Sequence, residues 1–306
     1  MAFVEPAALP PFIQSQFNCR RRAWRMEEGR DQGLVMSFVD HGAEDGFPIF
    51  MMHGNPTWSF LWRKVIASLD PNRFRCIAPD AFGLGTSSKW LRLSDHVLER
   101  HIDALLHLIE ALELKNYILV GQDWGGPFIG GIAARHSERV KGLVLGNTSL
   151  LLPKHFRTTA FHRLARSPII SDILFRLLGF PQRKLETAQG DPNSISGDIK
   201  KAYWWPLAKL RDRAAPLAMA RMVPDSQEHP SMDELRKIDT WVRSFSGPTA
   251  LVWGTKDPIL GRALNRHKEA LPNARIKETS AGHFLQEEVP EEIAEEIAWV
   301  ADQAGI

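Results

Sequence analysis

The residue best placed to do covalent chemistry is Asp123, in the stretch Gly121-Gln122-Asp123-Trp124-Gly125. An apolar run over residues 118–120 precedes this G-x-D-x-G motif and a helical pattern follows it, which predicts a sharp turn from a strand to a helix. A carboxylate that displaces a leaving group from a saturated carbon forms an ester, and an activated water can hydrolyse an ester. A serine in the same role would form an ether, which a simple attack by water does not reopen. Asp123 therefore indicates two-step covalent catalysis at an alkyl carbon.

Three other segments carry groups that such a reaction needs. The loop His53-Gly54-Asn55-Pro56-Thr57-Trp58 follows an apolar run and could donate a backbone N–H to an oxyanion. Asp257 and His283 each follow a later strand pattern. A histidine can take a proton from water, and a carboxylate can orient the imidazole and stabilise its charged form. Each residue alone has a simpler explanation. These are a helix N-cap for Asp123, a plain turn for the His-Gly-Asn-Pro loop and for Asp257, and a surface position for His283.

Taken together, these segments resemble those of haloalkane dehalogenases, members of the α/β-hydrolase superfamily. The resemblance covers roughly residues 30–150 and 235–300. In that superfamily the nucleophile lies on the strand-to-helix turn, and the acid and the histidine follow it in that order along the chain. The matching segments are His53-Gly54-Asn55-Pro56-Thr57-Trp58, Pro79-Asp80-Ala81-Phe82-Gly83-Leu84-Gly85-Thr86-Ser87, Gly121-Gln122-Asp123-Trp124-Gly125-Gly126, Gly254-Thr255-Lys256-Asp257-Pro258 and Gly282-His283-Phe284-Leu285-Gln286-Glu287.

The resemblance implies a role for each matching residue. Asp123 would be the nucleophile, His283 the base and Asp257 the acid of the catalytic triad. The indole of Trp124 and the side chain of Asn55 would hold the leaving halide, and the backbone N–H groups of the same two residues would form the oxyanion hole. In some relatives the acid lies at the end of another strand. At that position this chain reads Gly146-Asn147-Thr148, without a carboxylate, so Asp257 is the predicted acid and the subgroup has an Asp-His-Asp triad with an Asn-Trp halide pair.

The elements that position these residues alternate between strand and helix. Strand patterns fall at 33–40, 48–52, 74–79, 117–122, 140–146, 248–253 and 276–279, and helical patterns at 58–69, 96–112, 124–136, 232–244 and 290–305. Such alternation predicts an α/β fold with a mostly parallel sheet covered by helices, and the resemblance implies eight strands. From about 150 to 232 the strand pattern stops. We predict a core at 1–149 and 233–306 and an inserted helical cap at 150–232.

Composition excludes several other classes of protein. A net charge of +2 argues against binding to nucleic acid or to an anionic membrane, and the basic cluster Arg20-Arg21-Arg22 with Arg25 is best interpreted as a solvated strand face. No run approaches the apolar length of a membrane span. Two cysteines in 306 residues suit a reducing cytoplasm. The expected partners are a small halogenated alkane and a halide ion, without a metal or organic cofactor, and a homo-oligomer is compatible with the sequence.

Other activities fit parts of the same pattern. An epoxide hydrolase also uses an Asp nucleophile, but it needs two cap tyrosines, and this chain has only Tyr117, outside the predicted cap, and Tyr203. A cofactor-free light-emitting oxygenase related to dehalogenases keeps much of the triad. A non-enzymatic binding protein can share the fold. A serine esterase is excluded unless Asp123 is not the nucleophile.

Overall fold

Strands and helices alternate through the first half of the chain in a computed structural model, which describes residues 2–152, 155–156 and 159–306. The described residues form a single nine-stranded sheet in the order β1-β2-β3-β5-β4-β6-β7-β8-β9. Strands β4 to β9 are parallel to their neighbours within this group, whereas β1, β2 and β3 pair antiparallel. The strands are β1 (Ala2–Val4), β2 (Arg21–Arg25), β3 (Val35–Gly42), β4 (Phe47–Met52), β5 (Phe74–Pro79), β6 (Tyr117–Asp123), β7 (Val140–Thr148), β8 (Thr249–Gly254) and β9 (Arg275–Thr279).

The predicted fold class is confirmed, with one more strand than expected. Short β1 adds an antiparallel edge by pairing with β2, in the register Ala2 to Arg25. Three residues are too few to show an alternation in the sequence. The arginine cluster does lie on a strand, β2, but it is not simply solvated. Arg22 pairs with the buried Asp40 at 2.6 Å, and Arg21 donates to Thr86 at 2.8 Å.

The helices predicted in the core segments are present with small shifts at their ends. The α-helices are α1 (Pro11–Gln14), α2 (Arg63–Ala67), α3 (Leu98–Ala111), α4 (Gly125–Arg135), α5 (Ala160–Arg166), α6 (Gly197–Trp204), α7 (Ala214–Met222), α8 (Met232–Ser244), α9 (Leu264–Ala270) and α10 (Pro290–Gln303). The central strands are buried on both faces, as Met52 in β4 and Val120 in β6 illustrate. Strands of this kind read as continuous apolar runs, which is why they were detectable.

The sheet topology brings distant parts of the chain to one edge. Strand β4 lies between β5 and β6. After β4 the chain forms β5 on one side of it and then β6 on its other side. In open α/β sheets ligands bind at such a switch point, beyond the carboxyl ends of the strands. Asn55 follows β4, Asp123 ends β6, Asp257 follows β8 and His283 follows β9, so all four lie at that edge.

Residues 149–231 connect β7 to α8, and their described part contains helices but no strand. Positions 153–154 and 157–158 of the predicted cap lie outside the described residues. Helix α6 of this segment is tied to the core by a buried ionic cluster. The Tyr203 hydroxyl donates to Glu287 at 2.5 Å, and Arg63 donates to both carboxylate oxygens of Glu287, at 2.5 and 2.9 Å. A membrane-spanning helix would need a longer apolar stretch than any helix of the described chain has.

This cluster predicts a large stability effect at one carboxylate. Replacing Glu287→Gln leaves the buried Arg63 charge without its counter-charge, so the free energy of unfolding should fall by about 3–5 kcal/mol. The matched control is Glu278→Gln, which breaks a half-exposed pair with Lys268 and should cost at most about 1 kcal/mol. Urea denaturation measures both variants. Equal small losses would contradict the proposed importance of the buried cluster.

Candidate active site

Asp123 occupies a strained turn between β6 and α4. Its φ is +51°, in the left-handed region that non-glycine residues rarely adopt, so the surrounding structure must hold it there. The backbone N–H of Asn55 donates to Asp123 Oδ1 at 2.8 Å. Helix α4 is preceded by Trp124 and has no side-chain cap, so the Asp123 carboxylate is not used as an N-cap. The neighbouring loop must come very close, since a Cβ at Gly54 would overlap the Asp123 side chain.

His283 lies between the two carboxylates. Its Nε2 is 3.6 Å from Asp123 Oδ2, and its Nδ1 is 2.9 Å from Asp257 Oδ2. The second distance is a hydrogen bond, which places a proton on Nδ1 and leaves Nε2 free to accept one. All three side chains are largely buried, and the strand ends place them in the order that the sequence predicted.

Asn147 is a site residue that the sequence analysis missed. The sequence indicates only that position 147 carries no carboxylate and so cannot supply an alternative acid. In the structure its Nδ2 donates to Asp257 Oδ2 at 2.7 Å, and its Oδ1 accepts from the Gly254 N–H at 2.7 Å. The backbone N–H of Ile259 donates to the other Asp257 oxygen at 2.6 Å. Asn147 therefore fixes both the carboxylate and the strand end that carries it.

Gln122 and Thr148 also support the site. Gln122 Nε2 donates to the His283 carbonyl at 3.0 Å and lies 3.3 Å from His283 Nε2. The Thr148 hydroxyl donates to the Asp123 carbonyl at 2.6 Å. Gln122 is adjacent to Asp123 and Thr148 ends β7 beside β6, so a search along the carboxyl edge would have found both residues.

The buried charges shift one another's ionisation. Burial raises the pKa of Asp123, and the His283 charge and the backbone N–H groups of Trp124 and Asn55 only partly oppose it. For His283, burial disfavours the imidazolium, but the Asp257 carboxylate outweighs burial and the net pKa is raised. For Asp257, burial is again opposed, by the His283 charge and by hydrogen bonds, and the pKa stays below its ordinary value.

Two N–H-bearing side chains flank Asp123. One N–H of the Asn55 amide donates to the Pro216 carbonyl at 3.1 Å, which leaves the second N–H of that group. The buried Asn55 Oδ1 has no hydrogen-bond partner in the described chain. The Trp124 indole N–H donates to none of the described residues, and the ring is 7% exposed. The structure therefore brings the Asn55 backbone and the His283 side chain to Asp123, with Asp257 behind His283 and Trp124 next to Asp123 in the chain.

Comparison with known proteins shows the family to which the chain belongs. A family described as having the alpha/beta hydrolase fold matches residues 48–290. A haloalkane dehalogenase of Mycobacterium marinum is 32% identical over 86% of this chain and 88% of its own length. Haloalkane dehalogenase 2 of Mycobacterium tuberculosis is 33% identical over 84% and 88% of the two chains. This chain belongs to the haloalkane dehalogenase family.

Solved structures extend the likeness to the whole fold. The tetrameric haloalkane dehalogenase of Paraglaciecola agarilytica superposes with a TM-score of 0.80 at 28% identity, covering 96% of this chain and 97% of the other. A haloalkane dehalogenase of Agrobacterium tumefaciens gives 0.81 at 26% identity, with 94% and 99% covered. Family membership confirms the predicted family and its enzyme class, the hydrolases acting on carbon–halide bonds.

The contacts of Asp257 predict a graded loss of activity. Asp257→Asn should lower the rate by orders of magnitude, because the imidazole loses the group that orients it and stabilises its charge. Asn147→Ala should give a smaller loss of roughly tenfold, because Asp257 loses one hydrogen bond, worth about 1.5 kcal/mol when charge-assisted, but keeps its carboxylate. Steady-state halide release and a thermal melt on each variant separate the effect on rate from unfolding. Near-full activity of Asp257→Asn would mean that another carboxylate is the acid.

Proposed function

We propose that this protein hydrolyses small haloalkanes to an alcohol and a halide through an alkyl ester on Asp123. The observation that carries the proposal is the short chain from Asp123 through His283 to Asp257, in which a buried carboxylate faces the free nitrogen of an oriented imidazole. A carboxylate in that place suits attack on a saturated carbon, because the resulting ester lies within reach of a base that can activate water.

In the first step the Asp123 carboxylate attacks the carbon that carries the halogen. A carbon–oxygen bond forms while the carbon–halogen bond breaks, and the halide leaves with the bonding electrons. The free N–H of the Trp124 indole and the second N–H of the Asn55 amide would stabilise the departing anion, since both flank Asp123 and neither is engaged by a described residue.

In the second step His283 Nε2 takes a proton from water, and the hydroxide adds to the ester carbonyl. The backbone N–H of Asn55, already 2.8 Å from Asp123 Oδ1, would stabilise the oxyanion together with that of Trp124. Collapse of this intermediate breaks the bond between the carbonyl carbon and the alkoxy oxygen. The alcohol leaves with the proton from His283, and the resulting Asp123 carboxylic acid releases its proton to solvent, which restores the carboxylate.

The contacts of both tyrosines weigh against an epoxide hydrolase. That reaction needs phenolic hydroxyls that protonate the opening oxygen. The Tyr203 hydroxyl is buried and donates to Glu287 at 2.5 Å, and the Tyr117 hydroxyl lies 3.2 Å from His136 Nδ1. Neither side chain is hydrogen-bonded to the proposed nucleophile. Halide release from a bromoalkane would also distinguish the dehalogenase from a related cofactor-free oxygenase.

The inserted segment, the assembly and the cellular location are assigned on the same basis. We infer that 150–232 forms a cap over the core segments 1–149 and 233–306, because α6 is anchored to the core and the Pro216 carbonyl reaches Asn55. The likeness to a tetrameric relative supports a homo-oligomer. Cys19 and Cys76 are both free thiols, in keeping with the predicted cytoplasmic location. The proposed chemistry uses only side chains, backbone N–H groups and water.

A trapped intermediate tests the covalent step. His283→Gln should stop the reaction after alkylation, because the base is lost while the carboxylate can still attack. Intact mass after incubation with a bromoalkane should rise by one alkyl group, and peptide mapping should find the label on Asp123. Asp123→Ala is the control and should acquire no label. An adduct on another residue would falsify the assignment of the nucleophile.

Halide titration tests the two proposed N–H donors. Bromide or iodide should quench tryptophan emission in a saturable way, and Trp124→Phe should abolish that component. Trp299→Phe, a substitution on the outer helix α10, should keep it. Asn55→Ala should weaken halide binding by about 1.5–3 kcal/mol, or about one to two decades in the alkylation rate. Parent-like halide release by both site variants would mean that other groups hold the halide.

The pH dependence tests the base. Hydrolysis needs neutral His283, so its rate should be lost as the pH falls through the pKa of that residue. Asp123 and Asp257 both raise this pKa in the free enzyme, but esterification removes the Asp123 charge. The midpoint for hydrolysis of the alkyl ester in the parent enzyme should therefore lie below the midpoint for the imidazole of the free enzyme. Single-turnover hydrolysis and an NMR titration measure the two, with His107→Gln, an exposed site, as control. Midpoints in the reverse order would contradict this account.

A further inference from the structure

A short helical stretch in the segment 149–231 is apolar on two opposite faces. It includes the π-helix Asp172–Leu177. Its inner face carries Phe175, which is fully buried and packs 5.4 Å from Phe161 between ring centroids. Its outer face carries Ile173 and Leu177, which are 46% and 59% exposed. An apolar helix face is ordinarily packed against another element, and no described part of the chain covers this outer face.

The exposed side chains form an area that we call the outer patch. Its six aliphatic members are each 46–74% exposed, so they form a cluster and differ from the single scattered hydrophobic residues that are normal on a surface. Two aliphatic residues of the helix and Leu210 line one surface depression of about 290 Å³, together with Asp172 and Arg176. The members of the outer patch are Ile169, Ile170, Ile173, Leu177, Leu178 and Leu210.

The outer patch is held on a rigid support. Arg213 is almost fully buried and donates to the carbonyls of Arg176 at 2.7 Å and of Leu177 at 3.0 Å. The same guanidinium donates to the carbonyls of Leu207 and Ala208 and lies over the Trp204 ring. One side chain therefore joins the end of the π-helix to the neighbouring turn. A surface fixed in this way loses little conformational freedom on binding.

Backbone strain is concentrated at the start of the same patch. Ile169 has a φ of +63°, and the Ile170 N–H donates to the Pro168 carbonyl at 2.6 Å across it. This is a γ-turn with positive φ, a rare and costly conformation for a β-branched residue. The turn leaves Ile169 74% exposed, so packing within the chain does not repay the strain.

We propose that the outer patch is a two-fold interface with a second copy of this chain. The charges favour that occupant, because Asp172 and Arg176 form an intrachain pair at 3.0 Å beside the apolar stripe and the patch is self-complementary in sign. In an isologous contact each copy's carboxylate can face the other copy's guanidinium. This proposal does not depend on the proposed reaction.

Sedimentation velocity on the full chain over a wide concentration range provides the test. The parent should form a species of twice the mass of the chain. Ile173→Gln combined with Leu177→Gln should raise the dissociation constant at least about tenfold. Leu91→Gln, at a site that is 53% exposed and outside the patch, should leave it unchanged. A parent that stays monomeric, or a dimer unaffected by the double variant, would overturn the proposal.

Charge exchange distinguishes this interface from other contacts and from misfolding. Asp172→Arg gives two adjacent cations and Arg176→Asp two adjacent anions, so each variant alone should dimerise at least about tenfold more weakly. An equimolar mixture of the two should regain a dimer of parent-like affinity, which a misfolded variant could not do. Failure to regain it overturns the two-fold arrangement. If the parent is a monomer that binds phosphatidylcholine vesicles, the patch is a lipid-binding surface instead. If the parent is a monomer and its patch variants release halide at a changed rate, the patch belongs to the substrate entrance.

Discussion

The constraint on which the site depends is the burial of three ionisable side chains next to one another. Isolated charges in a dry interior are very costly, so each must have a partner with good geometry. Asp257 meets this need with three donors, from His283, Asn147 and the Ile259 backbone. For Asp123, burial raises the pKa, and the His283 charge and the backbone N–H groups of Trp124 and Asn55 only partly offset it. The least compensated charge is therefore also the group proposed to react.

The segment 149–231 also supports this arrangement. The His283 N–H donates to the Ala188 carbonyl at 2.8 Å, and the Phe284 N–H donates to the Gln189 side chain at 2.9 Å. The Gln189 amide returns a bond to the Phe284 carbonyl at 3.2 Å. The loop that carries the proposed base is thus clamped by the inserted segment, so movement of that segment would move the imidazole.

The same segment presents a second face away from the site. Its inner aromatic residues pack within the chain, whereas its outer aliphatic residues do not. Arg213 connects the inner and the outer residues, since it stacks on Trp204 and donates to a carbonyl at the end of the π-helix.

The sequence by itself determined the fold class and the identities of the central residues. Central parallel strands are buried on both faces and so appear as apolar runs, and Asp123 and Asp257 lie at the ends of two such runs. His283 follows β9, an exposed edge strand, and the sequence identified it by its place after the acid in chain order. Only the tertiary structure decided which neighbours hold them. Asn147 contacts Asp257 from 110 positions away, and Gln122 contacts His283 from 161 positions away. Contacts at such separations leave no local pattern in the chain. They exist because the sheet order brings the carboxyl ends of β6, β7, β8 and β9 side by side, and that order is a property of the packed structure.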